Sequence, residues 1–198
     1  MKVGFIGVGN IGAPIAGQLL KAGHSLVVHD LRPEAAEALL SAGATWSDSV
    51  AAVAGECEVV ATCLPGPTQI EQVCLGPGGI VSHIKPGGLY IDHTTNSPPL
   101  VRRVHEMLSA KGVAMLDAPV SGGMEGAQTR ELLVMAGFDR IGAVDAKPFQ
   151  DCIGVGFQAL RCGGILGVVQ HSAMTRSSVK LALLCMILAI DPVPMPPV

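Results

Sequence analysis

Aromatic residues are scarce in this chain: one Trp, one Tyr and four Phe among 198 residues, or 3%. That is too few to line a surface that stacks bases. Basic charge is not in excess either, with 13 Lys and Arg against 16 Asp and Glu and a formal net charge of −3. The chain has no basic footprint, so no nucleic-acid partner is expected. The six cysteines (Cys57, Cys63, Cys74, Cys152, Cys162, Cys185) are scattered, with no C-x-x-C pair and no Cys/His cluster. This removes a disulfide framework and a zinc site, and leaves the free thiols of a cytosolic protein with no metal. Long apolar runs are missing too. Leu181 to Ile190 is too short to cross a bilayer. Gly7, Gly9, Gly12 and Pro14 break the apolar N-terminus, which argues against a secretory leader. The expectation is a soluble, cytoplasmic protein with no membrane partner.

What is present is a globular composition, 49% hydrophobic and 15% charged, with 25 glycines. Lys2 to Gly7 reads as a buried strand, Ile11 to Ala22 as a helix stopped by Gly23, and Ser25 to Asp30 as a second strand. Pro33 to Ala42 reads as a helix with proline in its first turn and Gly43 past its end. The alternation continues with a strand at Cys57 to Leu64, a helix from about Thr68 and a strand at Gly88 to Asp92. A long helix from about Pro99 to Lys111 and strands at Val113 to Asp117 and Leu132 to Ala136 follow. Strands alternating with helices at these lengths predict an α/β, Rossmann-like, doubly wound parallel sheet over residues 1–160. From Asp139 to Ser178 no clear period is visible. Residues 161–198 read as a divergent connector, an apolar helix at Val179 to Ile190, and a tail with four prolines in its last eight residues.

Gly7-Val8-Gly9-Asn10-Ile11-Gly12 matches G-x-G-x-x-G at the place its mechanism requires, after a strand and at the opening of a helix. The first glycine permits the tight turn, the second lets the backbone approach a pyrophosphate, and the third lets helix and strand pack closely. The helix N-terminus offers N–H groups and partial positive charge to the phosphates. Asp30 closes the second strand at the separation expected of the acid that bonds the ribose 2′-hydroxyl. A carboxylate there repels a 2′-phosphate and favours NAD. Arg32, two residues on, offsets part of that repulsion, so NADP stays open.

Phe5 to Pro14 (FIGVGNIGAP) resembles the opening signature of the β-hydroxyacid dehydrogenases, the family of 3-hydroxyisobutyrate dehydrogenase and tartronate semialdehyde reductase. Ile11 and Ile15 stand where that family usually has Met. Three further blocks carry the resemblance in order: Cys63-Leu64-Pro65-Gly66-Pro67, Asp92-His93-Thr94-Thr95-Asn96-Ser97-Pro98, and Asp117-Ala118-Pro119-Val120-Ser121-Gly122-Gly123. The resemblance implies hydride transfer between a nicotinamide and a small 3-hydroxy acid or its semialdehyde. It implies that Leu64, Pro65, Gln69 and Thr95 lie along the cofactor. Ser121 and the N–H groups of Gly122 and Gly123 would hold the substrate carboxylate, as consecutive backbone donors in a turn can. Lys180 matches the family's catalytic lysine, which exchanges a proton with the substrate oxygen and needs its pKa lowered toward working pH.

The second half departs from the pattern. Leu184 stands where the family has asparagine, Arg130-Glu131 where it has Gly-Thr, and Phe138 where it has the second glycine of a turn. Family members continue into an all-helical domain, so Val179 to Ile190 is expected to be the stub of that domain. Its apolar side chains need a cover, so the helix is expected to fold back on the Rossmann domain, to pair with a second copy of the chain, or to remain disordered and sticky. The alternative to an active dehydrogenase is a catalytically impaired dinucleotide-binding module or dimerising fragment. A structural domain that binds nothing would make the glycine motif and Asp30 coincidental.

Overall fold

The computed structural model describes residues 1–129, 132–136, 157–162 and 165–170, and for 157–162 and 165–170 the backbone alone. Lys180, Leu184, the expected apolar helix and the proline-rich tail lie outside the described residues, as do Arg130, Glu131 and Phe138.

Six strands form one sheet: β1 (Lys2–Ile6), β2 (Ser25–His29), β3 (Thr45–Trp46), β4 (Val59–Thr62), β5 (Leu89–Asp92) and β6 (Ala114–Asp117). Their spatial order is β3-β2-β1-β4-β5-β6 and every neighbouring pair is parallel. This is the doubly wound order expected from the sequence, with its topological switch between β1 and β4. The strands are short and mostly apolar, and all but the edge strand β3 are largely buried on both faces. One face, including Val3, Phe5, Val28, Ile91 and Leu116, packs with residues of α1 (Gly12–Lys21), α2 (Glu37–Ser41) and α7 (Gly123–Thr129). The other, including Ile6, Val60, Tyr90 and Met115, packs with α3 (Val50–Glu56), α4 (Pro67–Leu75), α5 (Ile80–His83) and α6 (Pro98–Ser109). Val101, Val104 and Leu108 are the buried stripe of α6, at the spacing of one helix face.

Several elements differ from expectation. The helix expected over Pro33 to Ala42 opens as a 3₁₀ turn at Pro33–Ala36 before α2 begins. Proline at its first position sets φ for either helix type, so sequence does not separate them. The short elements α3, α5 and β3 fall below the length at which periodicity is readable. Ser49 does mark the start of α3, its hydroxyl accepting the Ala52 N–H at 3.1 Å.

A strand does form at Leu133–Ala136 (β8), but it stands apart from the main sheet. It pairs antiparallel with β7 (Val120–Ser121) and parallel with β10 (Ile165–Gln170), which pairs antiparallel with β9 (Phe157–Cys162). Order therefore exists within the stretch where no period was visible. The sequence between β9 and β10 is Gly163-Gly164, a dipeptide favoured between hairpin strands. The division expected between residues 160 and 161 falls within β9.

Candidate active site

The C-terminal ends of β1, β2, β4, β5 and β6 lie along one edge of the sheet, and all four sequence blocks follow directly on those ends. The β1–α1 turn is built by three glycines with three different reasons. Gly7 has φ of 88°, and a Cβ there would lie 2.4 Å from the Cys63 carbonyl oxygen. At Gly12 a Cβ would lie 1.9 Å from the Gly7 carbonyl oxygen, so helix and turn pack too closely for any side chain. A Cβ on Gly9, by contrast, would meet no protein atom within 4 Å. Nothing inside the fold demands glycine at this position; the open space beside it is the cradle a pyrophosphate would fill. The residues present thus fit a dinucleotide.

Asp30 is fixed across this turn. One carboxylate oxygen accepts the Val8 N–H at 2.9 Å and the other the Arg32 N–H at 3.0 Å. The acid is therefore held at the end of β2 beside the glycine turn, while the Arg32 side chain is exposed. Asn10 is exposed and Ile11 half-buried at the opening of α1.

The next two loops are tied to each other. The Thr94 hydroxyl accepts the Leu64 N–H at 3.0 Å, and a Cβ on Gly7 would lie 2.6 Å from Leu64 Cδ2. Leu64 therefore stands against the glycine turn, with Pro65 exposed beyond it. Gln69 folds back over the start of α4, its Oε1 3.8 Å from where a Gly66 Cβ would be. Thr95 is exposed and Thr94 buried. Beyond β6, Ser121, Gly122 and Gly123 are exposed, with φ of 129° at Gly122 and 65° at Gly123. Two successive residues with positive φ turn the chain sharply here, a path open to glycine.

Beneath these loops lies a polar row that the sequence did not single out. Thr62, Asp92 and Asp117 are register partners at the ends of β4, β5 and β6 and share the face covered by α3 to α6. Asp92 is fully buried and accepts from the Thr62 hydroxyl at 2.9 Å, the Thr94 N–H at 2.9 Å and Asn96 Nδ2 at 3.2 Å. Burial outweighs these donors and holds its carboxyl above the usual range. Asp117 is pushed up to about 7, first by burial and then by the charge of Asp92, and its buried Oδ1 has no hydrogen-bond partner. Of the two, Asp117 keeps its proton more readily, because Asp92 has three donors and Asp117 Oδ1 none.

The Thr62 hydroxyl gives its proton to Asp92, so it accepts from the Tyr90 hydroxyl 2.8 Å away, and Tyr90 accepts from the Cys74 thiol at 3.2 Å. Burial pushes the Cys63 and Cys74 thiols up to about 12 and Cys57 to about 11. Among the described residues these cysteines are thus unreactive thiols. No described helix is long and apolar enough to cross a membrane.

The structure brings the Gly7–Gly12 turn, Asp30, Leu64 and the Thr94-Thr95 segment to one edge, with Ser121–Gly123 beyond β6. Lys180 lies outside the described residues. Sequence reasoning passed over Thr94, Asn96, Asp92 and Asp117 as site residues, although all four stand in the blocks that carried the resemblance. The available signal was that Asp92 and Asp117 each close an apolar strand, where a polar side chain ends a buried run.

Comparison with known proteins places this geometry. Residues 2–163 match the family model described as the NAD binding domain of 6-phosphogluconate dehydrogenase. Over 153 residues the chain is 39% identical to the NAD-dependent L-serine dehydrogenase of Pseudomonas aeruginosa, covering 77% of this chain and 51% of that protein. It is 32% identical over 163 residues to the mitochondrial 3-hydroxyisobutyrate dehydrogenase of Mus musculus, covering 82% of this chain and 48% of that one. Among solved structures, the 3-hydroxyisobutyrate dehydrogenase of Mycobacterium tuberculosis with L-serine superposes with a TM-score of 0.64 at 34% identity. The match covers 69% of this chain and 46% of that chain. The chain spans about half the length of the relatives it matches. Its glycine turn, its strand-end acid and its strand order are those of a dinucleotide domain, and the chain belongs to the family of NAD-binding domains named for 6-phosphogluconate dehydrogenase.

Proposed function

We propose that this chain forms the cofactor-binding half of a dehydrogenase that interconverts a small 3-hydroxy acid and its semialdehyde. The observation that carries the reading is Gly9, a glycine with no neighbour to require it, set between two glycines that the fold does require. Bound nicotinamide would supply the hydride acceptor or donor. The β1–α1 turn and the N-terminus of α1 would hold the pyrophosphate, and Asp30 the ribose hydroxyls. Leu64, Pro65, Gln69 and Thr95 would line the nicotinamide half.

Ser121 and the N–H groups of Gly122 and Gly123 would bind the substrate carboxylate. Lys180 would take the proton from the hydroxyl oxygen during oxidation and return it during reduction. The relatives named for L-serine and 3-hydroxyisobutyrate support a substrate with a hydroxyl β to a carboxylate. Asp30 supports NAD over NADP.

Calorimetric titration tests the cofactor site. NAD is expected to bind the unaltered chain, and Asp30→Ala to weaken it by roughly 10- to 100-fold, the value of a charge-assisted hydrogen bond to the ribose. No NAD or NADP binding at millimolar concentration would end this reading. Lys180→Ala is expected to leave NAD affinity unchanged and to lower turnover of 3-hydroxyisobutyrate by roughly 10²- to 10⁴-fold. Equal turnover in chain and variant would remove Lys180 from the chemistry.

A further inference from the structure

His93 occupies an unusual place for an imidazole. It is 3% exposed, and burial pushes it down to about 4, against the pull of the Ala118 carbonyl, so the ring is neutral at physiological pH. Its Nδ1 lies 3.0 Å from that carbonyl oxygen. A carbonyl only accepts, so Nδ1 carries the proton and donates it.

Three segments meet at this ring. On one side it lies nearly parallel to Phe5, with centroids 6.2 Å apart and planes 16° from parallel. Phe5 in turn is the floor of the glycine turn: its Cε1 is 3.2 Å from where a Gly12 Cβ would stand. On the other side, Ala118 opens the loop that ends in Ser121-Gly122-Gly123. The backbone of His93 is itself anchored, donating to the Thr62 carbonyl at 2.8 Å, and the next residue, Thr94, holds Leu64. The Ala118 N–H meanwhile donates to the Asp92 carbonyl at 2.8 Å. The side chain of His93 thus adds a second, independent tie between β5 and the segment that follows β6.

We propose that His93 is a positioning residue, whose Nδ1–H bond to Ala118 sets the Ser121–Gly123 turn against the cofactor loops and so couples cofactor binding to carboxylate binding. The ligands named here rest on the dehydrogenase reading above; the ordering of the turn does not. Through Phe5, pressure on the glycine turn reaches the ring. Through Ala118, the ring's position reaches the Ser121–Gly123 turn. Neither step needs a charge on the imidazole, so the coupling persists unchanged from about pH 5 to 8.

The test compares His93→Leu, which keeps apolar bulk and removes the donor, with His93→Asn, whose Nδ2 can stand near the place of Nδ1. Four readouts are taken on the full chain: imidazole ¹⁵N shifts, amide hydrogen exchange at Ser121 to Gly123, NAD affinity, and 3-hydroxyisobutyrate affinity at saturating NAD. The unaltered protein is expected to show the Nδ1-protonated tautomer. His93→Leu is expected to speed exchange at Gly122 and Gly123 and to weaken 3-hydroxyisobutyrate about tenfold, the worth of one neutral hydrogen bond, with NAD affinity unchanged within about twofold. His93→Asn is expected to stay near the unaltered protein in all of these.

An Nε2-protonated ring overturns the proposal, and so does unchanged exchange in His93→Leu. If NAD and 3-hydroxyisobutyrate affinity fall together, His93 supports the fold in general and the coupling role is lost. Failure of the unaltered chain to bind NAD would sink the dehydrogenase reading alone, since the tautomer and exchange measurements need no ligand. If His93→Leu does not fold, the tautomer of the unaltered protein and the exchange rates of His93→Asn still decide.

Discussion

Replacing Gly9 with alanine is expected to lower NAD affinity by roughly 100-fold or more, about 2.7 kcal/mol, while leaving the melting temperature of the free protein unchanged. The two halves of that result have separate causes. A methyl group at Gly9 meets no protein atom within 4 Å, and its backbone is outside the left-handed region, so folding is indifferent to it. The same methyl projects into the space that a pyrophosphate must occupy to reach the N–H groups of the turn. Gly12→Ala supplies the contrast. There the added Cβ would lie 1.9 Å from the Gly7 carbonyl oxygen, a backbone atom that cannot move without unmaking the turn. That variant is expected to lose several kcal/mol of stability as well as the cofactor, of the size typical for steric strain at a packed position. Calorimetry and thermal denaturation on both variants read the two quantities independently. Unchanged NAD affinity in Gly9→Ala would show that no phosphate approaches this turn.

Asp117→Asn is expected to stabilise the protein at pH 8 and to do almost nothing at pH 4. In the unfolded chain the carboxyl titrates near its ordinary value of 3.8, whereas in the folded protein burial and Asp92 hold it at about 7. A raised carboxyl means the folded state keeps a proton that the unfolded state has released. Stability therefore falls as pH rises from about 4 to about 7, and the loss is complete above that window. A rise from 3.8 to about 7 corresponds to roughly 4 kcal/mol for a sealed site, and to less here because Asp117 is only half-buried. An amide carries no charge at any pH and removes the penalty. The expected gain at pH 8 is then roughly 2 kcal/mol, or about 4–8 °C in Tm for a chain of this length. Denaturant melts of both proteins at pH 4 and pH 8 check it. Equal gains at both pH values would assign the effect to packing, and no gain at pH 8 would mean that Asp117 is ionised and solvated.

Apart from β3, the strands of the main sheet were readable because each is an apolar run bounded by glycine, proline or a charged residue, and Asp30 was readable because its distance from the glycine turn is fixed by one crossover helix. The short elements α3 and α5 were not, since four to seven residues cannot show a period. The second sheet escaped for another reason. A strand's partner is chosen in three dimensions, and nothing in Leu133–Ala136 says that it pairs with Val120-Ser121 rather than with β6. The polar row is the clearest case. Thr62, Asp92 and Asp117 are separated by 30 and 25 residues, and only parallel register places them side by side. Their chemistry follows from burial, which a sequence states only through the pattern of the neighbours.

The chain has a single tryptophan and a single tyrosine, and the sheet sends them to opposite halves of its C-terminal edge. Trp46 ends β3 and lies tilted against His29, the residue before Asp30, with ring centroids 5.7 Å apart. Tyr90 lies in β5, its phenol joined through Thr62 to Asp92 beneath the opposite half. Each half of the edge therefore carries its own optical label without any engineering. Indole fluorescence would follow events beside Asp30, and the phenol's ring vibrations would follow the charge on Asp92. A ligand that settles first at one end and then at the other would be seen as two signals separated in time.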